Sequence, residues 1–110
     1  MKLIDRSTLQ QRLGSATLVE ALPEKYWRDW HLPGAKHLPH DQVKELAAGV
    51  LPDRNAEIVV YCASSTCQNS HIAARVLAQM GYGNVAVYPG GKLDWQEAGL
   101  PVARGEAVAA

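Results

Sequence analysis

Two cysteines stand close together in Tyr61-Cys62-Ala63-Ser64-Ser65-Thr66-Cys67-Gln68-Asn69-Ser70, directly after the apolar run Ile58-Val59-Val60. A strand that ends in a cysteine, followed by a small polar loop that opens a helix, suits sulfur chemistry. The small residues let successive backbone N–H groups turn toward the sulfur, and the helix adds the positive end of its dipole. A thiolate or a persulfide is the kind of anion such a cradle stabilises, so Cys62 is the candidate nucleophile. Ala63, Ser64, Ser65, Thr66, Gln68, Asn69 and Ser70 then form the substrate-binding loop through their N–H groups and hydroxyls. Cys67 admits three roles: a resolving thiol, the principal nucleophile itself, or a plain loop residue.

The elements that must hold this loop can be read from the pattern around it. Ile58 to Tyr61 is continuous, apolar and rich in β-branched residues, as a strand covered on both faces should be. Ser70 is placed to cap a helix with Ile72, Ala73, Val76, Leu77 and Met80 on one face and Gly81 as its stop. Val85-Ala86-Val87-Tyr88 forms the next strand, Pro89-Gly90-Gly91 a turn, and Lys92 to Ala98 a last helix ended by Gly99. In the first half, Leu3-Ile4 is a short apolar start, and Ser7-x-x-Gln10 has the form of a capping box for a helix from Ser7 to Leu13. Thr17 to Leu22 is a second apolar run stopped by Pro23, and Glu24 to Trp30 can make two helical turns. Ala35 to Leu38 supplies a brief third strand, and Asp41 can cap a helix carrying Val43, Leu46 and Ala47 that stops at Gly49. Strands alternating with helices through short turns predict an open parallel α/β sheet, in which ligands bind beyond the carboxyl ends of the strands.

Bulk composition narrows the function. The 110 residues suffice for one core, with residues 1–105 as a single domain and 106–110 as a flexible tail. Eleven basic residues balance eleven acidic ones, which gives no reason to expect nucleic acid or an anionic membrane as a partner. No apolar segment has the length of a membrane span or of a signal core, so the expected location is the cytoplasm. The cysteines enclose too short a loop to act as a folding staple and have no third cysteine to pair with, which leaves reactivity as their use. His37-x-x-His40 and the cysteine pair do not combine into a structural zinc pattern, so neither a metal nor another cofactor is expected.

Four segments together resemble the rhodanese-like domain family. Asp29-Trp30-His31-Leu32-Pro33-Gly34-Ala35 is similar to its G-H-I-P-G-A segment, and Val59-Val60-Tyr61-Cys62 to its strand ending in the active cysteine. The other two are Ala73-Ala74-x-x-Leu77-x-x-x-Gly81-Tyr82-x-Asn84-Val85 and Gly90-Gly91-x-x-x-Trp95-x-x-x-Gly99-Leu100-Pro101-Val102. The resemblance implies a five-stranded parallel sheet with helices on both faces. It also implies a cysteine that cycles through a persulfide, moving sulfane sulfur from thiosulfate or a related donor to a thiol or cyanide. Partners would be a small sulfur-containing anion and a thiol acceptor, with a protein sulfur donor or acceptor as a further option. His31 falls on a recurrent family position and is expected to make a structural hydrogen bond. Arg75 is a candidate supporting cation for the loop.

Three departures bear on the chemistry. The family's Asp-x-Arg pair after the second strand is replaced by Glu20-Ala21-Leu22, so the arginine is missing and its network must be replaced or lost. The loop after Cys62 is longer than usual, which suits a bulkier donor. From Ala63 to Ser70 it carries no Lys or Arg. Phosphatase relatives of this fold need an arginine six positions after the cysteine to clamp an oxyanion. Gln68 stands there relative to Cys62 and Ala73 relative to Cys67, which sets phosphatase and arsenate reductase chemistry aside. The expected function is a sulfurtransferase. The alternative is a protein-partnered sulfur carrier or a dithiol redox sensor that uses Cys62 and Cys67.

Overall fold

A computed structural model describes residues 2–105. The expectation of a flexible tail at 106–110 falls outside the described residues. Five strands, β1 (Lys2–Leu3), β2 (Thr17–Glu20), β3 (Lys36–His37), β4 (Ile58–Tyr61) and β5 (Val85–Tyr88), form one sheet in the order β1-β5-β4-β2-β3. Every pairing is parallel. β4 is the central strand, and Tyr61 at its end lies in register with Glu20 on one side and Tyr88 on the other.

Alternation along β4 divides the core. Ile58 and Val60 pack with Val19, Val87, Ala73, Ala74 and Leu77 on one face. Val59 and Tyr61 pack with Leu9, Leu18, Tyr88 and Trp95 on the other. A strand with side chains buried on both sides must be apolar throughout, and this is why Ile58–Tyr61 is legible as a strand without alternation. The helices α1 (Arg6–Arg12), α2 (Glu24–Asp29), α3 (Val43–Val50), α4 (Asn69–Gln79) and α5 (Gly91–Glu97) supply the covering layers. Truncating a side chain such as Leu77, which is fully buried, should cost about 2–5 kcal/mol.

Several helix ends differ from expectation. Asp5, two residues earlier than Ser7, caps α1 by accepting the Thr8 N–H at 2.8 Å. This bond holds the Asp5 carboxyl below its ordinary pKa. Asp41 does not cap α3: Gln42 occupies that position without a side-chain bond, and Gly49 lies inside the helix. Ser70 does not cap α4 either. It is the second residue of that helix, Gln68 holds the cap position, and the Ser70 side chain is buried. Ile72, expected on the apolar face, is exposed, and Ala74 takes its place in the core.

Candidate active site

Cys62 sits one residue beyond β4, at the carboxyl end of the sheet's central strand, and is 1% exposed. Its single S–H has two acceptors within reach, the Ser70 Oγ at 3.3 Å and the Cys67 carbonyl at 3.4 Å. Burial is the largest influence on the thiol and pushes its pKa up, and the bond to the Cys67 carbonyl acts in the same direction. The Ser70 hydroxyl and backbone N–H oppose this and favour the thiolate. The first turn of α4 therefore lies against the sulfur, and the Ser70 hydroxyl that accepts from the thiol can turn its own O–H toward the thiolate.

The loop is built from its own small residues. The Cys67 N–H donates to the Ser64 carbonyl at 3.0 Å, closing a turn. The Ser64 and Thr66 hydroxyls lie 3.1 Å apart and hydrogen-bond each other. Ala63, Ser65, Thr66 and Gln68 are exposed, while Ser64, Cys67 and Asn69 are half-buried. Gln68 accepts the Ile72 N–H at 3.0 Å through its carbonyl, tying the loop's end to α4. The predicted substrate-binding residues thus form one continuous rim beside Cys62, and Ser70 alone among them contacts the sulfur with its side chain.

The start of α5 clamps the other side. The Lys92 N–H donates to the Cys62 carbonyl at 2.9 Å, and the Leu93 N–H to the Ala63 carbonyl at 2.9 Å. This approach depends on Gly91, whose φ is +64°; a Cβ there would lie 2.4 Å from the Cys62 carbonyl oxygen. The Gly90-Gly91 pair therefore serves the nucleophile's backbone, one glycine giving up a side chain so that two segments can touch.

Beneath the loop lies a buried polar cluster that sequence reading missed. Glu20 is fully buried, and both of its carboxylate oxygens lie 3.2 Å from the Lys92 Nζ. The Tyr61 hydroxyl donates to Glu20 Oε1 at 2.8 Å and accepts the Leu32 N–H at 3.1 Å. The Lys92 Nζ also donates to the Tyr26 carbonyl at 2.7 Å and rests 4.7 Å above the Trp30 ring. Leu22 stands where the family places its arginine, and Lys92, from a different element, provides the buried cation that partners Glu20. Glu20 is thus paired although that arginine is missing. Burial holds the Glu20 carboxyl above its usual pKa against the pull of Lys92, and burial draws the Lys92 ammonium below its own against the pull of Glu20. The available signal was a glutamate inside an apolar strand run, which demands a partner.

The remaining candidates divide. His31 is buried, donates from Nδ1 to the Trp27 carbonyl at 2.7 Å and stacks on the Trp27 ring at 4.2 Å, a structural role. Its neighbour Leu32 is what reaches the site, through Tyr61. Arg75 is not brought to the loop. It is exposed and lines a concavity with Tyr82, Gly83 and Val85, and Val85 begins β5 at the end of the sheet opposite Cys62. The helical period carries Arg75 away from the rim, since it lies more than a turn beyond Ser70. Among the described residues, no group of three or more His, Cys, Asp or Glu side chains is arranged to hold a metal ion. No helix among them is long and apolar enough to cross a membrane.

An open parallel α/β sheet with a buried cysteine at the end of its central strand, under a loop that opens a helix, defines a class of cysteine-bearing α/β domains. The rhodanese-like domain model matches residues 5–98, and the chain belongs to that family. It is 34% identical over 107 residues to an HTH-type transcriptional regulator, Rv0324, of Mycobacterium tuberculosis, covering 96% of this chain and 46% of the relative. Over 64 residues it is 38% identical to the thiosulfate sulfurtransferase PspE of Escherichia coli, covering 58% of this chain and 59% of the relative. The chain thus spans about half the length of these curated relatives. Among solved structures, a rhodanese with anions from E. coli superposes with a TM-score of 0.66 at 28% identity, over 82% of this chain and 99% of the other. A thiosulfate sulfurtransferase from Pseudomonas aeruginosa superposes with a TM-score of 0.83 over 99% of this chain and 21% of that one; at 21% identity this shows the fold alone.

Proposed function

We propose that this domain is a sulfurtransferase in which Cys62 accepts sulfane sulfur from thiosulfate or a related donor as a persulfide and passes it to a thiol or cyanide. The observation that carries this reading is the setting of Cys62: a strand-end thiol whose sulfur lies 3.3 Å from the Ser70 hydroxyl in the first turn of α4. Attack of the Cys62 thiolate on the outer sulfur of thiosulfate forms the Cys62 S–S bond and expels sulfite. Donors fixed around the sulfur stabilise the anions on either side of that step without reorganising. The rim of small hydroxyl residues from Ser64 to Thr66 gives the donor polar contacts. Similarity to a protein named as a thiosulfate sulfurtransferase supports the same chemistry.

A second reading is favoured by one feature, the second free cysteine in the same loop. A dithiol of this kind serves a redox sensor, or a carrier charged by a protein partner, and a relative named as a transcriptional regulator fits a sensing role. The test of the first reading is the release of sulfite when reduced protein is mixed with thiosulfate and no acceptor. A burst of about one equivalent of sulfite, lost in Cys62→Ser, is the expected result. Absence of the burst in the unaltered protein, or its survival in Cys62→Ser, would refute the assignment.

A further inference from the structure

The two free thiols share a loop whose fold brings the backbone of one onto the sulfur of the other. The Cys67 carbonyl oxygen lies 3.4 Å from the Cys62 Sγ. A carbonyl oxygen is about 2.4 Å from its own Cα, so the Cys67 Cα is within about 6 Å of the Cys62 sulfur, and rotation of the Cys67 side chain with a small shift of the loop would bring the two sulfurs to bonding distance. The turn closed by the Cys67 N–H on the Ser64 carbonyl holds Cys67 back over the strand end. Cys67 is also the more accessible of the two, half-buried where Cys62 is buried.

We propose that Cys67 is a resolving thiol: its thiolate attacks the inner sulfur of a Cys62 persulfide, forming a Cys62–Cys67 disulfide and releasing the outer sulfur as hydrosulfide. The proposal rests on the sulfurtransferase reading above. The persulfide S–S bond breaks as the Cys62–Cys67 bond forms. The sulfane sulfur takes up the two electrons that the cysteine pair gives up, and the Cys67 proton passes to solvent or to the departing hydrosulfide. The sulfane sulfur is itself the oxidant.

Attack on the inner rather than the outer sulfur follows from position: the Cys67 backbone is held 3.4 Å from the Cys62 Sγ, the atom that becomes the inner sulfur of the persulfide. An external thiol or cyanide reaches the outer sulfur and expels the Cys62 thiolate, whereas Cys67 meets the inner sulfur and expels hydrosulfide. The product is a domain that releases sulfide once and then stays closed until a reductant opens it. Sulfur loading is thereby converted into a change of thiol state.

The experiment mixes reduced protein with an equimolar amount of thiosulfate, then measures sulfite, dissolved sulfide and non-reduced intact mass. The unaltered protein should release sulfite and sulfide in equal amounts and finish two hydrogens lighter. Cys67→Ser should release sulfite, retain one added sulfur atom and release no sulfide. An added sulfur that persists in the unaltered protein as long as in Cys67→Ser, or that peptide mapping finds on Cys67, overturns the resolving role while leaving the sulfurtransferase reading standing. No sulfite from either protein overturns both.

Discussion

Replacing Lys92 with methionine should convert a satisfied buried pair into an isolated buried carboxylate. Glu20 is fully buried, the Lys92 side chain is 9% exposed, and the Tyr61 hydroxyl is the donor that would remain on Glu20. Breaking a buried pair by deleting one member costs about 3–5 kcal/mol, a large share of the roughly 5–15 kcal/mol that holds a domain folded. With an m value of about 1.5 kcal/mol/M, the urea midpoint at pH 7 should fall by about 2–3 M. The loss should depend on pH in a definite direction. Burial already holds the Glu20 carboxyl above its usual pKa while Lys92 pulls it down, so removing Lys92 raises it further. A carboxyl raised on folding exacts no penalty below its unfolded pKa of about 4.3, where both states are protonated; stability then falls as pH rises through the folded value. Lys92→Met should therefore approach the unaltered protein in acid and diverge from it toward neutrality. Glu20→Gln combined with Lys92→Met keeps an acceptor for Tyr61 but no charge, and should regain most of the loss and flatten the pH dependence. A single variant as stable as the unaltered protein at pH 7, or a double variant as unstable as the single, would refute the reasoning.

Further expectations follow from the contacts around Cys62. Gly91→Ala combines left-handed strain with a Cβ 2.4 Å from the Cys62 carbonyl oxygen, and should cost more than about 3 kcal/mol, lowering the melting temperature by more than about 12 °C. Gly99→Ala also has positive φ but meets nothing within 4 Å, so thermal melting should show only the strain of about 1–2 kcal/mol. In a Cys67→Ser background, the rate of Cys62 alkylation by iodoacetamide should rise with pH with its midpoint above the free-thiol value of about 8.5, because burial raises this thiol. Ser70→Ala should move that midpoint higher still, since the Ser70 hydroxyl favours the thiolate; an unchanged or lower midpoint would show that this bond does not act on the sulfur.

The parts of the fold that were legible in the sequence are those where local pattern and burial agree. β4 could be bounded at Ile58 and Tyr61 because a central parallel strand is apolar on both faces. α4 was legible from its period and from Gly81, whose φ is +98°. Helix starts were less legible: Asp5 and Ser7 are both capping residue types, and it is the Asp5 side chain that accepts the Thr8 N–H. The loop around Cys62 could be identified because its residues are contiguous. Glu20 and Lys92 are 72 positions apart and meet only because β2 and α5 both border the end of β4. No local window contains that pairing, although a lone glutamate in a buried strand demands one. Arg75 was misplaced for the converse reason: nearness in sequence to the loop says nothing about which way a helix turns it.

The measurement that bears most directly on Cys62 as the sulfur-carrying residue is the intact mass of Cys67→Ser and of the Cys62→Ser, Cys67→Ser double variant after brief exposure to thiosulfate. Removing Cys67 prevents resolution of the persulfide, so the first protein should gain one sulfur atom that cyanide then removes, while the second gains none. Equal gain by both proteins, or no gain by the first, would contradict the role given to Cys62.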